Sequence, residues 1–314
     1  AEDAQRRREG VAAARGDTAA SGARGPAAAA ATAANGWQPA PTISGELVYA
    51  IGTEGDLVCL EATTGTLRWQ KNLINDFGGK MMSGWKYSES PLVDGDQVIC
   101  TPGGADGTLL ALDRKSGETL WQTEGGTDPA GYSSVITATI DGTRQYVQLT
   151  GKSVAGIDPD SGTVLWHADR EGKTAVISTP IVQGNTVFVT SGYGIGCNAF
   201  RVTKDGTNWQ VEQLYANKEI MNHHGGVVLL DGHIYGSSGG TFRCLNLDSG
   251  ELAGQEAGFS AAHPQLTART RVAGAAPETQ MRKTMIAAVV LTVAGRQVFA
   301  RSFWILLFLS LMVP

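Results

Sequence analysis

Along the middle of the chain, apolar residues fall in short runs separated by glycine-bearing turns. Residues 90–122, SPLVDGDQVICTPGGADGTLLALDRKSGETLWQ, show the order. An apolar run leads through the turn DGD to a second run, the loop GGADG leads to a third, and the turn DRKSGE leads to a last run that closes on tryptophan. Runs of this length that alternate with period two predict β-strands, and the Asp-Gly and Gly-Gly punctuation predicts hairpins between them. Each unit therefore reads as four strands.

The same order returns along the chain. CLEATTGTLRW (59–69), ALDRKSGETLW (111–121) and GIDPDSGTVLW (156–166) align on their closing tryptophans, and two weaker copies end at Trp209 and, with the tryptophan replaced, at Gly254. The small residues that open the copies are Cys59, Ala111, Gly156, Ala199 and Cys244, separated by 52, 45, 43 and 45 residues. That period predicts an array of four-stranded antiparallel blades. Within the turn, the Asp113 side chain is suited to bond the backbone it begins, and Gly117 to take a positive φ. No unit covers both of its faces alone, so stacking is obligatory.

Composition narrows the partners. With 42% hydrophobic and 18% charged residues among 314, the chain has the material for a sizeable core, and 41 glycines against 11 prolines favour tight turns. A net charge of −5, with no concentrated basic face between residues 37 and 260, argues against nucleic acid. A protein or a small-molecule ligand is the expected partner. Cys59, Cys100, Cys197 and Cys244 show no CxxC and no adjacent pair, so they read as small buried hydrophobes and reveal no compartment.

Both ends differ from the middle. Residues 1–36 hold 15 alanines and no Ile, Leu, Phe, Tyr, Trp or Met, a composition expected to be disordered, and the segment is bounded at 1–37. It contains no apolar centre of a secretory signal. The segment 257–314 is read as lying outside the repeats. It carries the apolar runs MRKTMIAAVVLTVAG (281–295) and FWILLFLSLMV (303–313), each shorter than the roughly 20 residues of a membrane-crossing helix. Sticky helices, a tail anchor in contact with a membrane, and a signal-like segment in a chimeric gene are the three readings. The last is preferred, because the periodic order stops near residue 254.

The pattern A-x-D-x-x-x-G-x-x-x-W, complete in Ala111, Asp113, Gly117 and Trp121, resembles the tryptophan-docking motif of the pyrroloquinoline-quinone-like (PQQ-like) β-propeller repeat. Glu61, Gly65 and Trp69 match in the first copy, and Asp158, Gly162 and Trp166 in the third. The fourth copy departs, with Arg201 and Asp205 where the acid and glycine belong, and the fifth keeps Asn246 and Gly250 without the tryptophan. The resemblance covers residues 38–256. It implies an all-β propeller of about five recognisable blades in an incomplete ring, with Trp69, Trp121, Trp166 and Trp209 wedged between neighbouring blades. WD40 signatures are absent from the sequence.

If the first strand of each blade is innermost, the segments before the first strands converge on one rim. These are WKYSESP (85–91), AGYSSV (130–135), AVISTP (175–180) and MNHHGG (221–226), joined by the loops TPGGADG (101–107) and SGYGIGC (191–197). Tyr87, Glu89, Tyr132, Ser133, Asn222, His223 and His224 are then expected to line a funnel that binds a ligand or partner. Glu89 and the two histidines have the chemistry of acid–base groups or metal ligands. Neighbours on a strand point to opposite faces, however, so polar lining is preferred and no catalytic or metal residue is assigned. Ser133 lacks a nucleophile-elbow setting.

The resemblance also implies two roles. Non-enzymatic propellers of this kind, including scaffolds of outer-membrane barrel assembly, bind proteins through rim and loops, which implies a binding scaffold in the periplasm or outside the cell. The alternative is a quinoprotein-like oxidoreductase holding PQQ and calcium to oxidise alcohols or sugars. The alcohol dehydrogenases of that branch carry a vicinal cysteine pair, which this chain lacks, so no cofactor is expected. The enzyme question stays open at this point, since the repeat names a fold and not a cofactor.

Overall fold

The computed structural model describes residues 40–223 and 225–257. Twenty strands form five four-stranded antiparallel sheets, each built from consecutive strands in chain order. Sheet 1 comprises β1 (Thr42–Ser44), β2 (Leu47–Ile51), β3 (Asp56–Glu61) and β4 (Leu67–Asn72), and sheet 2 comprises β5 (Leu92–Asp94), β6 (Gln97–Cys100), β7 (Leu110–Asp113) and β8 (Thr119–Gln122). Sheet 3 holds β9 (Ile136–Ile140), β10 (Thr143–Leu149), β11 (Ser153–Ile157) and β12 (Val164–Asp169). Sheet 4 holds β13 (Ile181–Gln183), β14 (Thr186–Ser191), β15 (Gly196–Asp205) and β16 (Asn208–Asn217), and sheet 5 holds β17 (Val228–Leu230), β18 (His233–Ser238), β19 (Thr241–Asn246) and β20 (Leu252–Ala257). No helix occurs among the described residues. The readings of residues 1–37 and of the apolar runs at 281–313 fall outside them.

In sheets 2, 3 and 4 the middle strands are apolar on both faces because a neighbouring sheet covers each face. In β6, Val98 and Cys100 belong to the core between sheets 1 and 2, whereas Ile99, between them, belongs to the core between sheets 2 and 3. In β14, Val187 and Val189 face sheet 3 while Phe188 faces sheet 5. Period-two alternation thus feeds two cores from one strand. Four such cores join the five sheets in sequence, and among the described residues no apolar cluster joins sheet 5 to sheet 1. The sheets form an arc of propeller blades.

The fourth strand of each sheet carries a β-bulge, because the register to the third strand shifts just after its small residue, at Cys59/Leu60, Ala111/Leu112, Gly156/Ile157, Ala199/Phe200 and Cys244/Leu245. The bulge re-aims the residue paired opposite. That residue is Trp69 for Cys59 and Trp121 for Ala111. The Trp69 indole N–H donates to the Arg114 carbonyl of sheet 2 at 3.0 Å, and Trp121 donates to the Pro159 carbonyl of sheet 3 at 3.1 Å. Each ring lies on the turn glycine of the next sheet. A Cβ on Gly117 would stand 2.8 Å from Trp69, and one on Gly162 would stand 2.5 Å from Trp121. The motif glycine is therefore required twice, for a φ of +73° at both positions and for the ring above it. Asp113 caps its turn by accepting from the Lys115 and Ser116 amides at 2.9 and 2.8 Å. In sheet 1, Gly65 has the same backbone sign but open space above it.

The fourth joint departs from the expected one. β15 and β16 are 10 residues each, so the hairpin extends past the position where the other copies turn. Ala199 consequently faces Tyr215, and Trp209 pairs with Lys204 near the hairpin tip. Tyr215 closes the joint to sheet 5: its hydroxyl donates to the Leu247 carbonyl at 2.8 Å, and a Cβ on Gly250 would stand 2.6 Å from its ring. Trp209 is corrected from that role, since it packs against the core between sheets 3 and 4, with the Lys204 ammonium 5.4 Å from its ring centroid. The turn glycine of the sheet 4 hairpin, Gly206, has open space above it, so Trp166 meets no glycine there. Its N–H donates instead to Gln145 within sheet 3, and its ring lies over Gly156 while lining the same core.

Candidate functional site

Antiparallel order places the segment before each first strand and the loop between second and third strands at one end of the sheets. Backbone bonds zip these loops together there. Ala130 donates to the Lys80 carbonyl at 2.8 Å, Met82 to the Ala130 carbonyl at 2.9 Å, and Tyr132 to the Val176 carbonyl at 2.7 Å.

An aromatic band stands on this base. Trp85, ahead of β5, is 54% exposed, with ring centroids of Tyr132 at 6.3 Å and of Tyr193 at 6.2 Å. Tyr193, in the β14–β15 loop, meets His223, ahead of β17, edge-on at 4.2 Å. The band thus takes one ring from each of sheets 2, 3, 4 and 5. Tyr132 is fixed by a hydrogen bond between its hydroxyl and that of Ser83.

Two residues of the band region hold a left-handed backbone without being glycine, Lys86 at φ +69° and Tyr193 at +56°. Such a conformation costs on the order of 1 kcal/mol in an L-residue and persists where surrounding contacts impose it. Asp141 and Asp231 share it for an ordinary reason, since each precedes glycine in a two-residue hairpin turn. Lys86 is tethered by an ion pair with Glu54. The loop carrying Tyr193 is tethered by Arg170, which is 4% exposed and reaches over from sheet 3. Its guanidinium donates to Asn198 Oδ1 at 3.1 Å, Ser191 Oγ at 2.8 Å and the Gly196 carbonyl at 2.9 Å. No carboxylate pairs with it among the described residues, and burial lowers its pKa to about 10.

Most of the expected funnel residues lie beneath this surface, which corrects their placement. Tyr87 is 2% exposed and its hydroxyl donates to the Pro102 carbonyl at 2.7 Å; burial, then Glu89, raises its pKa. Glu89 is likewise 2% exposed. It accepts from the Thr101 amide at 2.5 Å and the Thr101 hydroxyl at 2.7 Å, and burial lifts its pKa to about 7 against those two bonds. Gln148 of sheet 3 completes the group by donating to Thr101 Oγ1 and to the Ser133 carbonyl at 2.9 and 3.0 Å. Ser133 and Asn222 are buried, Asn222 accepting from Ser178 at 2.8 Å. Only His223 is exposed, Tyr132 is buried beneath Trp85, and His224 lies outside the described residues. Polar side chains at this end fasten loops to sheets, which is why polarity alone misplaced them. Trp85 and Tyr193 were not singled out from the sequence. Trp85 sits in SGWKYS, out of phase with every copy of the repeat, and that is the signal that marks it.

The four cysteines are buried in four different sheets, among the described residues no three His, Cys, Asp or Glu side chains group as metal ligands, and Glu89 has both oxygens turned onto Thr101.

Stacked four-stranded sheets, sealed at three of their four joints by an aromatic ring on a glycine turn, define a PQQ-like β-propeller. The chain belongs to the family described as outer membrane protein assembly factor BamB, whose sequence model matches residues 6–255. It is 30% identical over 178 residues to the assembly factor BamB of Burkholderia pseudomallei, covering 54% of this chain and 42% of that one. With BamB of Kangiella koreensis it shares 27% identity over 161 residues, covering 49% of this chain and 35% of the other. The chain thus spans less than half the length of these curated relatives. Among solved structures, the quinohemoprotein alcohol dehydrogenase of Comamonas testosteroni superposes with a TM-score of 0.50 at 13% identity, over 71% of this chain and 43% of that one, a likeness of fold alone.

Proposed function

We propose that this propeller is a protein-binding scaffold that works outside the cytoplasm in outer-membrane protein assembly, and that its partner docks on the rim band around Trp85. The observation that carries the reading is the exposed indole of Trp85, set among Tyr132, Tyr193 and His223 on loops from four sheets. Aromatic rings with little rotamer freedom are the residues that dominate binding energy at protein interfaces. The family and the names of its relatives supply the setting. The alternative reading, an oxidoreductase holding PQQ and calcium, draws on no grouped metal ligands among the described residues.

Trp85→Ala tests it. The side chain is more than half exposed, so circular dichroism and the melting temperature are expected to stay as in the parent, while co-purification of the outer-membrane assembly machinery with the tagged chain falls by about tenfold or more. Undiminished co-purification with the folded variant removes the band as the docking surface.

A further inference from the structure

The opposite end of the sheets, reached by the β1–β2, β3–β4 and β7–β8 turns, holds a cavity of about 460 Å³ between sheets 1 and 2. Its lining includes Ser44, Thr63, Arg68, Arg114 and Lys115, with Leu47 as an apolar wall. Arg114 is anchored by its backbone, since its carbonyl accepts from Trp69 and Tyr49 at 3.0 Å each. Its guanidinium donates to Ser44 Oγ at 3.2 Å, which leaves the Ser44 proton available as a donor. Arg114 Nε is buried without a hydrogen-bond partner, and its one ion pair, to the Asp96 carboxylate at 3.4 Å, is with a side chain that is 78% exposed. Lys115 Nζ forms no ion pair among the described residues.

Two carboxylates also line the cavity. Glu61 is taken by Arg68 at 2.7 Å and by the Thr64 hydroxyl at 2.7 Å, and Glu46 is an exposed turn residue. Lys115 therefore remains as a cation without an ion pair, and Arg114 shares its charge only with the largely exposed Asp96, beside two hydroxyl groups. The geometry points to a phosphate-monoester site, in which the dianion lies between Arg114 and Lys115 and accepts from Ser44 and Thr63. A tetrahedral dianion has enough oxygens for donors converging from three turns, and the forked guanidinium suits it. The cavity exceeds a bare oxyanion, so the organic part of the ester has room against Leu47. The site is separate from the rim, and its occupant would wedge the first two sheets together.

Calorimetric titration of the full chain with glycerol 3-phosphate, at ionic strength matched with chloride, tests the site. Saturable binding is expected, weakened about tenfold in Arg114→Met and in Lys115→Met by the loss of one charge-assisted contact, and unchanged in Trp85→Ala. Lys115 is exposed, so its variant folds whatever Arg114→Met does. A second arm sediments the chain with phosphatidylcholine vesicles, with and without phosphatidic acid. Binding of the soluble ester alone assigns a small-molecule site, and co-sedimentation that requires phosphatidic acid assigns a lipid headgroup. Failure of both arms, or folded variants that bind like the parent, overturns the proposal.

Discussion

Replacing Glu89 by glutamine should make the protein more stable in mild alkali while leaving it nearly unchanged in mild acid. Glu89 is 2% exposed, and its folded pKa of about 7 stands above the model-peptide value of 4.5 because burial penalises the carboxylate. The sign follows from linkage: the folded state holds the proton more tightly than the unfolded chain, so the contribution is fully present below pH 4.5 and is lost as pH rises toward 7. At about 1.4 kcal/mol per unit, the loss amounts to about 3 kcal/mol. The amide keeps the shape and does not ionise. Urea titrations at pH 5 and pH 8 should show the Gln variant ahead of the parent by about 2–3 kcal/mol at pH 8, once the lost charge-assisted bonds from Thr101 are allowed for, and by under about 1 kcal/mol at pH 5. An identical difference at both pH values would mean that Glu89 does not titrate across this range, and the argument from burial would fail.

Other outcomes follow from the joints between sheets. Gly117→Ala strains a positive φ and drives a methyl into the Trp69 ring, for about 2–4 kcal/mol, whereas Gly184→Ala, at φ +56° with open space, should cost about 1 kcal/mol. Equal midpoints for the two in urea would discount the ring contact. Tyr215→Ala should lose about 2–3 kcal/mol and Tyr215→Phe about 1 kcal/mol, with Trp209→Ala milder than Tyr215→Ala; the reverse order in thermal melts would return Trp209 to the joint. Arg170→Met removes the three bonds that fasten the Tyr193 loop. It should raise amide exchange across residues 191–196 and weaken partner capture in parallel with Trp85→Ala, and unchanged exchange would discount the tether.

The sheets were legible because their causes are local. Alternation marked the strands, Asp-Gly and Gly-Gly marked the turns, and the motif glycine was marked by the positive φ its turn needs, whereas the ring above it appears only in the structure. Tyr215 escaped because alignment at fixed spacing favoured the nearest tryptophan, although the dipeptide Asp205-Gly206 already marked a hairpin tip farther along. The rim was harder to read. Tyr87, Glu89 and Trp85 are neighbours in one polar segment, and only tertiary contacts with Pro102 and Thr101 decide that the first two turn inward while the indole faces solvent. Hydrophilicity could not separate a loop fastener from a docking surface.

The glycine of sheet 1, with no ring above it among the described residues, bears on whether the outer two described sheets are matched to each other. Each seal has a direction, with an aromatic given on one flank and a turn offered on the other, and heterologous contacts of that sort either close or grow into filaments. Gly65 offers the turn, but at the other end Gly254 stands where the aromatic would be, opposite Cys244. Among the described residues, sheet 5 therefore has no ring to set on a turn like that of Gly65, and the fastening that joins the blades in sequence has no counterpart there for a heterologous contact.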